Sequence, residues 1–81
     1  MGIEYRIKFC VPEGYDPSAL FKKLPSPIGR PSTTEIYNFK IEQDGFYFVD
    51  HLVNNEVASV AFRLFVNEAL SHAESVEIVE P

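Results

Sequence analysis

The chain has 81 residues, of which 46% are hydrophobic and 23% charged, and its formal net charge is −5 at pH 7. This length predicts one domain, and the composition is typical of a soluble globular protein. The acidic excess disfavours a nucleic-acid partner, because phosphate binding depends on clustered lysine and arginine. A single cysteine cannot form an internal disulfide, and no segment has the pattern of a signal peptide or a spanning helix. We therefore expect a cytoplasmic protein that does not insert into a membrane.

The first half of the chain predicts a strand, a short helix and a long loop. Apolar and polar residues alternate over residues 3–11, which is the pattern of a strand with one buried face. Asp16 can cap a helix that begins at Pro17 and ends near Leu24. Three prolines then predict a stiffened loop over residues 25–34.

A β-hairpin is predicted at the middle of the chain. The dipeptide Asp44-Gly45 stands between two apolar segments, and glycine tolerates the positive φ that tight hairpin turns require. The turn connects a strand over residues 35–42 to a strand over residues 46–50.

The second half ends with a long helix and a short strand. Asn54 or Asn55 can cap the helix, which extends to about Ala73, and residues 75–80 form the last strand. The order is β-α-β-β-α-β, which predicts an α+β, ferredoxin-like domain over residues 1–81. We expect a four-stranded antiparallel sheet in the strand order 4-1-3-2, with both helices on one face.

The length of the hairpin turn leaves the direction of two phenylalanines open. A two-residue turn points Phe46 and Phe48 into the core. A three-residue turn that ends with Gly45 as a bulge points Tyr47 and Val49 inward and leaves both phenylalanines exposed.

Residues 44–51 resemble the third-strand motif of RNA-recognition motifs, which has a basic residue, glycine, and then alternating aromatic positions. The positions that match the motif are Gly45, Phe46, Phe48 and Val49. The positions that depart from it are Asp44 in place of a basic residue, Tyr47 in place of a small residue and His51 in place of an aromatic residue. The resemblance implies that Phe46 and Phe48 stack on RNA bases.

No catalytic motif, metal-ligand spacing or cofactor-binding loop is present, so we expect no metal, no cofactor and a non-enzymatic role. The candidate residues for binding a small ligand or an anion are Arg6, Lys8, Cys10, Arg30 and Phe48. The candidate residues for a protein interface are Phe46, Phe48, Phe62 and Val66. The last two are candidates because the long helix has more apolar circumference than one sheet contact explains, so they pack either under the first helix or against another chain.

Three functions follow from these residues. The first is a small interaction or regulatory module that forms a homodimer or other homo-oligomer, or binds a protein partner, through its sheet or its long helix. The second is a small-ligand, anion-binding or enzymatic domain that uses the loop 25–34 and the open sheet face. The third is RNA binding through the hairpin strand.

Overall fold

Alternating apolar and polar residues in four segments produce a four-stranded antiparallel sheet, to which two helices are added. The computed structural model describes residues 2–25, 28–29 and 34–80. Its elements are β1 (Ile3–Lys8), α1 (Ser18–Lys23), β2 (Ile28–Gly29), β3 (Thr34–Glu35), β4 (Tyr37–Glu42), β5 (Gly45–Asp50), α2 (Asn55–His72) and β6 (Glu77–Val79). No helix of this described part is long and apolar enough to cross a membrane.

The main sheet has the strand order β4-β5-β1-β6, and every neighbouring pair is antiparallel. The α+β class, the β-α-β-β-α-β order of the main elements and the central position of the first and third strands are confirmed. β2 and β3 form a separate two-stranded ribbon. β2 and Thr34 lie where a loop was expected, and Glu35 belongs to this ribbon although it was expected to begin the second strand. Strands of two residues have no periodicity from which a sequence pattern could predict them.

The hairpin between β4 and β5 has a two-residue turn. Glu42 pairs with Gly45, so Gln43 and Asp44 form the loop, one residue earlier than the Asp44-Gly45 turn that the sequence predicted. Gly45 is the first residue of β5 and has a φ of +144°. A Cβ atom at this position would lie 2.1 Å from the carbonyl oxygen of Ile7 on β1. The glycine therefore permits close contact between β5 and β1 as well as the turn.

The two-residue turn points both hairpin phenylalanines at the helices. Phe46 and Phe48 are each 1% exposed, and they stand opposite Ile41 and Phe39 of β4. On the other side of β5, Phe46 is opposite Ile7 of β1. The core is consequently aromatic and lies between the sheet and α2.

α2 packs on the sheet through a stripe of residues spaced three or four apart. The buried residues of the helix are Ala58, Ala61, Phe65 and Ala69. Three of them are alanines, which let the helix backbone approach the strands, while the ring of Phe65 fills the remaining space. Its centroid lies 5.0 Å from Phe39, 5.3 Å from Phe46 and 5.8 Å from Phe48. This aromatic contact fixes which side of α2 faces the sheet.

Candidate functional site

The face of the sheet opposite the helices is the first candidate surface. The strand register places on it Glu4, Arg6 and Lys8 of β1, Asn38, Lys40 and Glu42 of β4, Tyr47 and Val49 of β5, and Glu77 and Val79 of β6. Three cations and three carboxylates share this face, so its formal charge is zero. Such a balance gives no strong electrostatic attraction for an anion or a polynucleotide.

The polar groups at the centre of this face are bonded to one another. Nη1 of Arg6 lies 3.1 Å from Oε1 of Glu42, and the guanidinium lies 5.5 Å from the centroid of the Tyr47 ring. The Tyr47 hydroxyl donates a hydrogen bond to the Glu4 carboxylate, and this bond, followed by desolvation, raises the pKa of Tyr47. The cation of Arg6 is already matched by a carboxylate and an aromatic ring, so a ligand would have to displace them.

The candidate ligand-binding residues do not come together. Arg6 and Lys8 share the open face, and Cys10 follows β1 as an exposed free thiol. Phe48 is on the opposite face, because the two-residue turn directs it into the core, and this corrects its assignment to an open-face site. Arg30 lies outside the described residues. A shallow depression beside the hairpin turn is lined partly by Arg6 and Lys8.

The candidate interface residues contribute mainly to the core. Phe46 and Phe48 are buried, so neither can stack on an RNA base or meet a partner at the sheet surface. Phe62 lies 4.8 Å from Tyr5 and 5.5 Å from Phe48, measured between ring centroids. It packs on the sheet, whereas the sequence suggested the first helix or another chain. Val66 is partly buried against the same core.

An apolar surface that the sequence analysis missed lies at the β6 edge. Ile7 of β1 and Ile78 of β6 are paired neighbours on the helix-facing side of the sheet. Ile7 is 0% exposed, whereas Ile78 is 44% exposed. The helices therefore cover the sheet at β1 and leave β6 partly exposed. The predicted strand order already placed the last strand at an edge, and that signal could have identified Ile78.

Ile78 stands on the outer strand of the described sheet. β6 pairs with β1 and with no other described strand. We call Ile78 and this outer edge of β6 the β6 surface.

α2 also contributes to a polar cluster at the start of the first helix. The hydroxyl of Tyr15 donates a 2.5 Å hydrogen bond to Oε2 of Glu68, and Nε2 of His72 lies 3.9 Å from the same oxygen. Burial, the hydrogen bond and the charge of Glu68 together raise the pKa of Tyr15 far above its ordinary value. The phenol therefore keeps its proton and acts as a donor that ties the loop before α1 to α2.

These features define a two-layer α+β protein whose open sheet face is polar, with its central groups bonded to one another, and whose exposed apolar side chains include Ile78 at one sheet edge. Within residues 2–25, 28–29 and 34–80, no group of three or more histidine, cysteine, aspartate and glutamate side chains is arranged to hold a metal ion. No protein-family model matches the chain, and the comparisons with curated proteins and with solved structures found no match either.

Proposed function

We propose that this chain is a ferredoxin-like, non-enzymatic interaction module that self-associates through the β6 surface. The observation that carries the proposal is the contrast between Ile7 and Ile78, which are neighbours on one face of the sheet and yet are 0% and 44% exposed. A second protein surface that packs on Ile78 would bury its exposed apolar area and extend the core beyond β1. Burial of apolar area is the main driving force of association.

The other surfaces of the described chain support binding less well. The open face would require a ligand to break the Arg6–Glu42 pair and the Tyr47–Glu4 hydrogen bond. The depression beside the hairpin is too shallow to enclose a small molecule, whereas ligand sites are usually concave pockets that bury most of the ligand. The exposed thiol of Cys10 fits a reducing compartment such as the cytoplasm.

Sedimentation over a range of protein concentrations tests self-association. We expect the weight-average mass to rise from one chain to two as the concentration increases. Ile78→Glu places a carboxylate on the β6 surface, and it should raise the dissociation constant at least ~10-fold, equivalent to about 1.4 kcal/mol.

Val60→Glu is the matched control for this variant. Val60 is 52% exposed and lies on α2, outside β6, so the same change in charge should leave association intact. Circular dichroism would establish that both variants remain folded. A wild-type chain that stays monomeric at every concentration, or equal weakening by Val60→Glu, would refute the proposal.

A further inference from the structure

The hydrogen-bond pattern of β1 shows which N–H and C=O groups of β6 point away from β1. The amide of Phe9 donates to the carbonyl of Asp44 at 3.2 Å, which extends the β1–β5 ladder by one hydrogen-bonded pair. In an antiparallel pair such residues alternate with residues whose polar groups point the other way. The odd-numbered residues of β1 therefore bond to β5, and Arg6 and Lys8 bond to β6.

This alternation directs the backbone of Ile78 away from the sheet. Arg6 pairs with Val79, and Lys8 pairs with Glu77, so Val79 and Glu77 use their polar groups within the chain. Ile78 stands between them, and its N–H and C=O point outward from β6. Its side chain and its backbone polar groups consequently lie on the edge of β6 that no other described strand pairs with.

We propose that two copies of this chain pair β6 with β6, antiparallel, about a two-fold axis at Ile78, and so form one continuous eight-stranded sheet. The inference rests on the self-association proposed above and names the strand that each copy uses. Ile78 would form a hydrogen-bonded pair with Ile78 of the second copy, and Val76 would pair with Glu80 in both directions. The contact is isologous, as a closed dimer requires.

The distribution of charge selects this register over its neighbours. An axis at Ile78 sets Ile78 against Ile78 and Glu77 against Val79, while Glu77 also has Lys8 of its own chain opposite. An axis at Glu77 would set two carboxylates directly opposite each other, which is destabilising. An axis at Val79 would set Ile78 against Glu80. The register centred on Ile78 alone joins the half-exposed isoleucines and keeps like charges from facing each other.

Cysteine cross-linking measures the register directly. In a Cys10→Ser background, Ile78→Cys would place two thiols on residues whose Cα atoms are about 5.5 Å apart, within the range that a disulfide spans. Mild oxidation should convert most of this variant to a covalent dimer. Val60→Cys is the control for random collision, because it presents a similarly exposed thiol away from β6.

A second set of variants leaves Ile78 unchanged. Glu77→Cys alone and Val79→Cys alone should cross-link slowly, because in each dimer the two identical positions are diagonal neighbours. An equimolar mixture of the two should cross-link rapidly, because these positions are directly opposite.

Sedimentation of the same proteins separates the two proposals. A dimer in which Ile78→Cys does not cross-link, or in which Val79→Cys alone or Val60→Cys cross-links as fast, would overturn the register and leave self-association standing. A chain that remains monomeric would overturn both.

Discussion

Gly45 shows how one residue can serve both a turn and a packed sheet. Its φ of +144° lies in a region that favours glycine, and an added Cβ would meet the backbone of Ile7. Gly14 also has a positive φ, +75°, but a Cβ there would meet nothing within 4 Å. At Gly14 a side chain would therefore strain the backbone only. At Gly45 it would strain the backbone and also clash with β1.

Alanine substitution at both glycines gives a matched prediction. Gly14→Ala should lower the free energy of unfolding by about 1 kcal/mol, the cost of a left-handed backbone for a residue with a Cβ. Gly45→Ala should lower it by about 3 kcal/mol or more, since a φ of +144° is itself costly for a residue with a Cβ and the clash with Ile7 adds to that cost. Urea unfolding followed by circular dichroism measures both values. Equal losses would mean that β1 and β5 can separate freely at this point.

Among the elements, α2 shows which features of a helix are local and which depend on the sheet. Its beginning is local: the side chain of Asn54 accepts a hydrogen bond from the amide of Val57 at 3.3 Å, which identifies the cap among the two adjacent asparagines. Its buried side depends on Phe65, because the helix is apolar over most of its circumference and the aromatic contacts select one face.

Asn54→Ala should destabilise the protein by about 1 kcal/mol, because the amide of Val57 loses its acceptor. Asn55→Ala should change the stability by less than about 0.5 kcal/mol or raise it slightly, since Asn55 is exposed and alanine favours a helix. Thermal or urea unfolding of the two variants is the measurement. The reverse order would show that Asn55 caps the helix in solution.

For the whole molecule, the Tyr15–Glu68 hydrogen bond joins segments that are 53 residues apart in the chain. The folded protein raises the pKa of Tyr15, whereas the unfolded chain has the ordinary value of 10.0. The folded state therefore holds the phenolic proton more tightly. The stabilisation from this group is fully present below pH 10 and is lost as the pH rises above it.

Tyr15→Phe should lower the free energy of unfolding by about 1.5 kcal/mol at pH 7, the lower end for a hydrogen bond to a charged group. The difference between wild type and variant should be the same at pH 8.5 and should narrow at pH 11. Urea unfolding at the three pH values measures it. A difference that stays constant to pH 11 would contradict the raised pKa of Tyr15.

The sequence by itself determined the class of this protein and the order of its elements. Period-two alternation, the helix-capping residues and the glycine beside the hairpin turn all act over a few residues, so local patterns predict the main strands and both helices. The order of these elements then predicts the central position of the first and third strands. The turn was misplaced by one residue, because Gly45 pairs with Glu42 and Lys8 as the first residue of β5, and a dipeptide signal does not contain this pairing.

Only the tertiary structure decided which residues are available for binding. The same sequence allowed Phe46 and Phe48 to be a surface platform or a core, and pairing of Glu42 with Gly45 made them core. Ile78 is a surface residue because β6 lies one strand beyond the part of the sheet that the helices cover. Its neighbour in the sheet, Ile7, is far away in the chain. Burial is a property of the assembled layers, and for that reason no local pattern could assign it.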